Sequence, residues 1–515
     1  MLGPRYTFEV QAENDRRWAI LKVCKTKAEA TDRAEKALGT GNHDAVRIMR
    51  HAPRRKETEI WHERKVVSKK NQMLSIKTAD ICETLDAVQA YPARATLGRL
   101  LRPYLDEQQL TPFELMFGKL EIKRLYRDES LATRCINSVA GVQARITKTR
   151  ARDRVEQLFD LVQEHKRAIE GGNAEAVVAT VRENGLAAAE LASKRLTDGS
   201  APLVLRMAVA DALRDPPDWG GKVELLIDWM GQLEQPAMQE LVDELLAEVA
   251  ASPDAMRELL GGQADLASAI QTMIRVSNGV FNEDRKDMVQ LSTLSTAIAQ
   301  HGLPRTSAKL LELIAIQLRS TNPLTRHGND EELLNTIIED LSTPSGLAGA
   351  TVTSEAVLQR ARAVYLPDGQ QTIDGALNVL AEQLPSLGTQ LGYWLDLAED
   401  AVVGESHGDE LGELAAEALN TIAAGGPLAF GLDRDEQTKH AQSLATKLSK
   451  SALAAAMALP SVVALTGIAR GDGPEPPPAP PPKPAAQPSA AKPSNSAAAL
   501  AAKKHNLRST VSAGE

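Results

Sequence analysis

The side chains whose types and spacing suit chemistry fall in two stretches. "ESHGDELGE", from Glu405 to Glu413, sets His407 close to Asp409, Glu410 and Glu413. An imidazole among carboxylates offers nitrogen and oxygen donors of the kind a divalent cation takes. Gly408 and Gly412 read as a loop leading into a helix, however, and acids in a first helical turn are already explained by the helix dipole. No metal ligand is assigned there. The second stretch is "RHAPRRKETEIWHERKVVSKK", from Arg50 to Lys70. Its candidates for binding an anion or an acidic partner are Arg50, Arg54, Arg55, Lys56, Trp61, Arg64 and Lys65. Guanidinium and ammonium groups pair with phosphates or carboxylates, and an aromatic ring can stack on a base. Glu57, Glu59 and Glu63 dilute this charge, and a single Trp is not a stacking platform.

Motifs that would commit the chain to catalysis are not found in the sequence. It has no phosphate-cradling G-x-x-x-x-G-K-[ST], no strand-borne G-x-G-x-x-G, no G-x-S-x-G elbow and no H-E-x-x-H. The pairs Gly171–Gly172, Gly220–Gly221, Gly261–Gly262 and Gly425–Gly426 read as helix-to-helix turns. "LPDGQQTID", ending at Asp374, carries a Pro-Asp-Gly turn and too few oxygen donors for a calcium loop. Trp219, Trp229 and Trp394 stand beside acids and read as core anchors with one polar edge. Cys24, Cys82 and Cys135 are far apart and odd in number, so they read as reduced, buried thiols of a cytoplasmic protein. No catalytic residue, metal or cofactor is expected, and the chain reads as a non-enzyme.

The elements that would position these residues change character along the chain. "RYTFEV" and "RRWAILKVC" read as two strands around the turn "AENDR". "KTKAEATDRAEKALG" follows as a helix that stops at Gly39, and "DAVRIMRHA" and "TEIWHERKV" read as two further strands. Period-two alternation and the Gly stop carry this reading. Residues 1–70 are thus a small basic ββαββ domain, an α+β sheet with one covering helix. From about Ala79 onward no convincing strand is found. Aromatics are only 3% of 515 residues, so the core is built from Leu, Ala, Val and Ile, which at this density favours helix. Helix starts are marked at Thr111, where Pro112 and Glu114 complete a capping box, and at Ser252 and Asn329.

The chain reads as mostly α. A helical connecting region spans 71–170, and an acidic all-α body of helical hairpins, solenoid-like in kind, spans 171–470. "RVEQLFDLV", "KVELLIDWM" and "LLELIAIQL" suggest a weak internal repeat. At an 88-residue offset Pro216, Glu224 and Leu225 fall on Pro304, Glu312 and Leu313. The Pro/Ala-rich segment 471–515 reads as a disordered tail. Pro474 to Pro488 would span about 40–45 Å in polyproline II geometry, holding Lys503, Lys504, Leu507 and Arg508 as a basic docking motif. "SALAAAMALPSVVALTGIA", 451–469, has no charge, but its Pro460 and Ala-rich composition favour a buried last helix over a bilayer span. "MLGPRYTFEV" shows no apolar segment of a secretory signal.

Residues 1–170 carry a net charge of +9 and the rest −18. A basic head on an acidic body implies an anionic partner for the head or contact between the two. The expected function is a cytoplasmic, non-enzymatic adaptor or regulatory scaffold that binds protein partners through its body and tethered tail. The alternatives are a nucleic-acid binder using the basic domain, or a membrane-associated protein using 451–469. The acidic body argues against the first, and the composition of the segment against the second.

Overall fold

The computed structural model describes residues 7–14, 17–39, 45–51, 58–64, 73–127, 129–195, 200–283, 288–326, 328–366 and 369–472. The chain divides into two compact units, Met1–Gly172 and Asn173–Glu515.

In the first unit, four strands form an antiparallel sheet of order β2-β1-β3-β4: β1 (Thr7–Asn14), β2 (Arg17–Cys24), β3 (Ala45–His51) and β4 (Thr58–Arg64). Helix α1 (Lys27–Gly39) lies on one face. Alternation turns Phe8, Val10 and Ala12 of β1 and Val46 and Ile48 of β3 toward it. Ala30, Ala34 and Ala37 repeat at helical spacing and make the stripe that meets them. Strand β1 runs on through Ala12–Asn14, which the sequence reading gave to a turn. The alternation continues there, with Ala12 buried, and this extends the pairing.

Among the described residues the same unit holds seven more helices: α2 (Leu85–Gln89), α3 (Tyr91–Leu100), α4 (Arg102–Gln108), α5 (Pro112–Phe117), α6 (Lys119–Arg127), α7 (Glu129–Thr147) and α8 (Ala151–Gly171). The capping box forms as the sequence implies. Thr111 Oγ1 accepts from Glu114 N at 3.1 Å, and Glu114 Oε2 accepts from Thr111 N at 2.8 Å. Two apolar clusters result, one around Leu101, Leu105 and Leu131, the other around Val88, Ile136 and Leu158, and Val139 packs against both.

The second unit is helical: α9 (Glu175–Ser193), α10 (Ala201–Ala212), α11 (Trp219–Gln232), α12 (Pro236–Ala250), α13 (Pro253–Leu260), α14 (Leu266–Ser277), α15 (Val289–His301), α16 (Pro304–Leu318) and α17 (Asp330–Leu341) come first. A two-residue hairpin, β5 (Ser342–Thr343) and β6 (Gly346–Leu347), leads to α18 (Thr351–Tyr365), α19 (Ile373–Gln383), α20 (Leu387–Ala398), α21 (Val403–Ala423), α22 (Arg434–Lys450) and α23 (Leu459–Ala469). Ser252 and Asn329 cap α13 and α17 as their sequences imply. Trp219, Trp229 and Trp394 are all core residues.

Helix α16 shows how this unit is held. Its N-terminal N–H groups have no intrahelical partner, and Leu303 before it sits at φ +27°. Asp243 of α12 supplies the cap: Oδ2 accepts from Arg305 N at 2.8 Å, and Oδ1 accepts from Thr306 N at 2.9 Å and Thr306 Oγ1 at 2.7 Å. At the other end Arg360 of α18 donates to the carbonyls of Leu318 (2.8 Å), Gln317 (3.1 Å) and Asn322 (2.9 Å). An anion at the N-terminus and a cation at the C-terminus both suit the dipole.

Three features depart from the sequence reading. Gly220 and Gly221 form the first turn of α11, where Glu258 Oε1 accepts from Gly220 N and Asp218 Oδ1 from Gly221 N, each at 2.8 Å. Residues around His407 and Gly408 belong to α21, which kinks at His407 (φ −132°, ψ 26°) and is not a loop there. The 88-residue correspondence does not carry into packing: α11 packs on α12, whereas α16 and α17 each pack on α14 and α18. The apolar stretch 451–469 becomes a 3-10 turn (Ala452–Ala456) and the eleven-residue α23. Among the described residues no helix is long and apolar enough to cross a membrane.

Candidate functional site

Helix α1 covers one face of the four-stranded sheet, and the pleat assigns the other face residue by residue. Glu9 and Gln11 of β1 alternate with the core residues Phe8, Val10 and Ala12. Register places Val23 opposite Glu9, Ile20 opposite Gln11 and Trp18 opposite Glu13 on β2. On the other side Met49 pairs with Glu9, Arg47 with Gln11, and His62 of β4 with Arg47. A bulge between Val10 and Gln11 keeps Ile20 and Val23, three positions apart, on one face.

This face combines an apolar edge with a polar centre. Ile20 is 58% exposed and Val23 53%, both on edge strand β2. Beside them the Arg47 guanidinium lies 4.2 Å from the centre of the Trp18 ring, and the His62 ring meets Trp18 edge-on at 5.5 Å. Arg47 Nε donates to Gln11 Oε1 at 2.9 Å, and Arg47 pairs with Glu59 at 3.5 Å. His51 and Glu9 approach to 3.2 Å. Cation–π contact and hydrogen bonds therefore hold the Arg47 fork in one orientation.

Of the residues singled out in the sequence, Arg50, Trp61 and Arg64 are described. Trp61 pairs with Ile48 and packs, partly buried, against the core under α1. Arg50 pairs with Phe8 and is exposed. Arg64 ends β4 opposite Ala45. Arg54, Arg55, Lys56 and Lys65 lie outside the described residues, as do the proline spacer and Lys503, Lys504, Leu507 and Arg508. The aromatic of the open face is Trp18, which the basic run does not contain. Its signal in the sequence was the apolar run Trp18–Leu21, which puts apolar side chains on both faces of β2.

The histidine stretch also gains a partner from elsewhere in the chain. His407 Nδ1 lies 2.9 Å from Asp374 Oδ1, and Glu410 brings a carboxylate close to both. Asp374, His407 and Glu410 are the one set of three such donors that converges among the described residues and could hold a cation. Asp374 and Glu410 are exposed, and the histidine–carboxylate pair accounts for the geometry without an ion. Asp409 and Glu413 are not part of the set. Cys24, Cys82 and Cys135 are all buried, and none of them forms a disulfide.

A buried carboxylate, Asp396, is held by an ion pair in the second unit. Lys447 Nζ lies 2.9 Å from Asp396 and 3.0 Å from the Ser345 carbonyl in the β5–β6 turn. Burial pushes the Asp396 carboxyl up to about 6, outweighing the pull of Lys447. The pair fastens the hairpin to α20. No protein-family model, curated protein or solved structure matches this chain.

Proposed function

We propose that this chain is a non-enzymatic adaptor whose N-terminal domain docks a protein partner on the open face of its sheet. The observation that carries the reading is the pairing of exposed Ile20 and Val23 with the ordered Trp18–Arg47–His62 group on that face. An apolar edge, an aromatic anchor and a held guanidinium are what protein interfaces concentrate. Glu9 and Glu59 stand on the same face, and their charge opposes a phosphate backbone, so a protein partner fits better than nucleic acid. The helical body then acts as the scaffold, and the tail as a second tethered contact.

The test is a native pull-down with full-length protein and with an Ile20→Glu/Val23→Glu double variant of unchanged circular dichroism. A stoichiometric protein recovered by the first and lost from the second supports the reading. An identical set of proteins from both, or recovery of nucleic acid alone, removes it.

A further inference from the structure

Between the two apolar clusters of the first unit, its helices line a partly open cavity of about 140 Å3. The wall draws on both clusters, with Leu115 and Cys135 from one and Ile136 and Leu158 from the other. Protein interiors leave few voids larger than a water molecule, and an apolar cavity of roughly 150 Å3 can stay dry and bind benzene or xenon. A water needs two to four polar partners, and this wall offers few. His165 has both ring nitrogens engaged, by Gln89 Nε2 at 3.1 Å and the Met116 carbonyl at 2.9 Å. Thr96 Oγ1 is directed to Asp80, at 3.4 Å.

One polar atom is left over. Tyr126 lines the cavity, and its hydroxyl is shut off from solvent with no hydrogen-bond partner among the described residues. Lys166, on the same wall, sets its ammonium over the Tyr126 ring, 4.4 Å from its centre. Burial, with some help from Glu170, pushes the phenol up to about 12, so it remains an O–H donor at neutral pH. A buried donor without an acceptor is a cost that a bound acceptor relieves.

We propose that this cavity binds a small, largely apolar molecule with one acceptor oxygen, a carbonyl or ether on an aromatic or short aliphatic frame, to which the Tyr126 hydroxyl donates. The site is separate from the docking face and stands whether or not that face binds a protein.

The probes are acetophenone, which has the acceptor, and α-methylstyrene, the same frame with CH2 in place of the oxygen, titrated into full-length protein by calorimetry and thermal unfolding. A ligand bound only by the folded state raises the unfolding temperature. Both probes are expected to bind, acetophenone roughly fivefold more tightly, the worth of one net hydrogen bond. Tyr126→Phe should abolish that preference and leave α-methylstyrene unaffected. Val139→Phe, which fills the void, should abolish both. If Val139→Phe does not fold, Ala132→Leu on the same wall takes its place. Absence of binding by either probe, or binding that survives the filling variant, overturns the site. A preference retained in Tyr126→Phe overturns the role of the hydroxyl.

Discussion

Asp243→Ala strips the N-terminal cap from α16 without touching the helix itself. The carboxylate takes two backbone N–H groups and one hydroxyl, those of Arg305 and Thr306, and both Asp243 and Thr306 are buried. The two bonds from Thr306 are buried, and the one from Arg305 is partly buried. Each buried donor left without an acceptor costs about 1–3 kcal/mol, more when the lost partner was charged. The dipole contributes a further ~0.3–1 kcal/mol. Allowing for relaxation, Asp243→Ala should cost about 3–5 kcal/mol, a large fraction of the ~5–15 kcal/mol of a typical domain. Asp243→Asn keeps one acceptor oxygen but turns an amide N–H2 toward a backbone donor, and should cost about 2–3 kcal/mol. The assay is urea unfolding followed by tryptophan fluorescence, since Trp219, Trp229 and Trp394 are all buried in the same unit as α16. The midpoint should fall with the slope unchanged. Thr306→Val combined with Asp243→Ala should cost less than the sum of the two, because they share bonds. An Asp243→Ala variant within about 0.5 kcal/mol of wild type, the usual range for surface changes, would refute the reasoning.

Asp396 makes stability depend on pH in a direction opposite to that of most carboxylates. Its folded value lies near 6 and its unfolded value near 3.8, so between those limits the folded protein holds a proton that the unfolded chain releases. Stability from this group is present below pH ~4 and lost as pH rises through ~6, by at most about 3 kcal/mol at 1.36 kcal/mol per pH unit. Wild type measured against Asp396→Asn should lose that amount from pH 3.5 to 7, and a flat difference contradicts it. Gly392→Ala is expected to cost about 2–3 kcal/mol, as overpacking does, because a Cβ there would run into the carbonyl of Ser345; an unchanged midpoint in thermal unfolding counts against the notch. Thr111→Ala removes one half of a capping box, and its loss of about 1–2 kcal/mol should appear in unfolding of the first unit followed by amide exchange.

Local rules made much of the fold legible. The four N-terminal strands were readable, whereas β5 and β6, two residues each, are too short to show a pattern; Thr111, Ser252 and Asn329 cap helices by accepting backbone N–H groups two or three residues on, which needs only neighbouring residues. Asp243 and Arg360 do the same work for α16 from other helices, and no local spacing records that. Gly220–Gly221 read as a turn because glycine weakens helices, yet carboxylates from Asp218 and Glu258 hold those N–H groups in a first turn. The docking face shows a similar division. Charge drew attention to the run from Arg50 to Lys70, but the pleat turns Trp61 under α1 and leaves Trp18 beside Arg47. A cavity has no sequence signature, because it is defined by atoms that fail to meet.

The docking face is tested most directly by placing a photoreactive benzoylphenylalanine at position 20 of the full-length protein in its native host. Position 36, exposed on α1 and away from the open face, serves as the control. The account predicts one discrete protein adduct from position 20 and none of that mass from position 36. Matching adducts from both positions, or only nucleic acid at position 20, would contradict it.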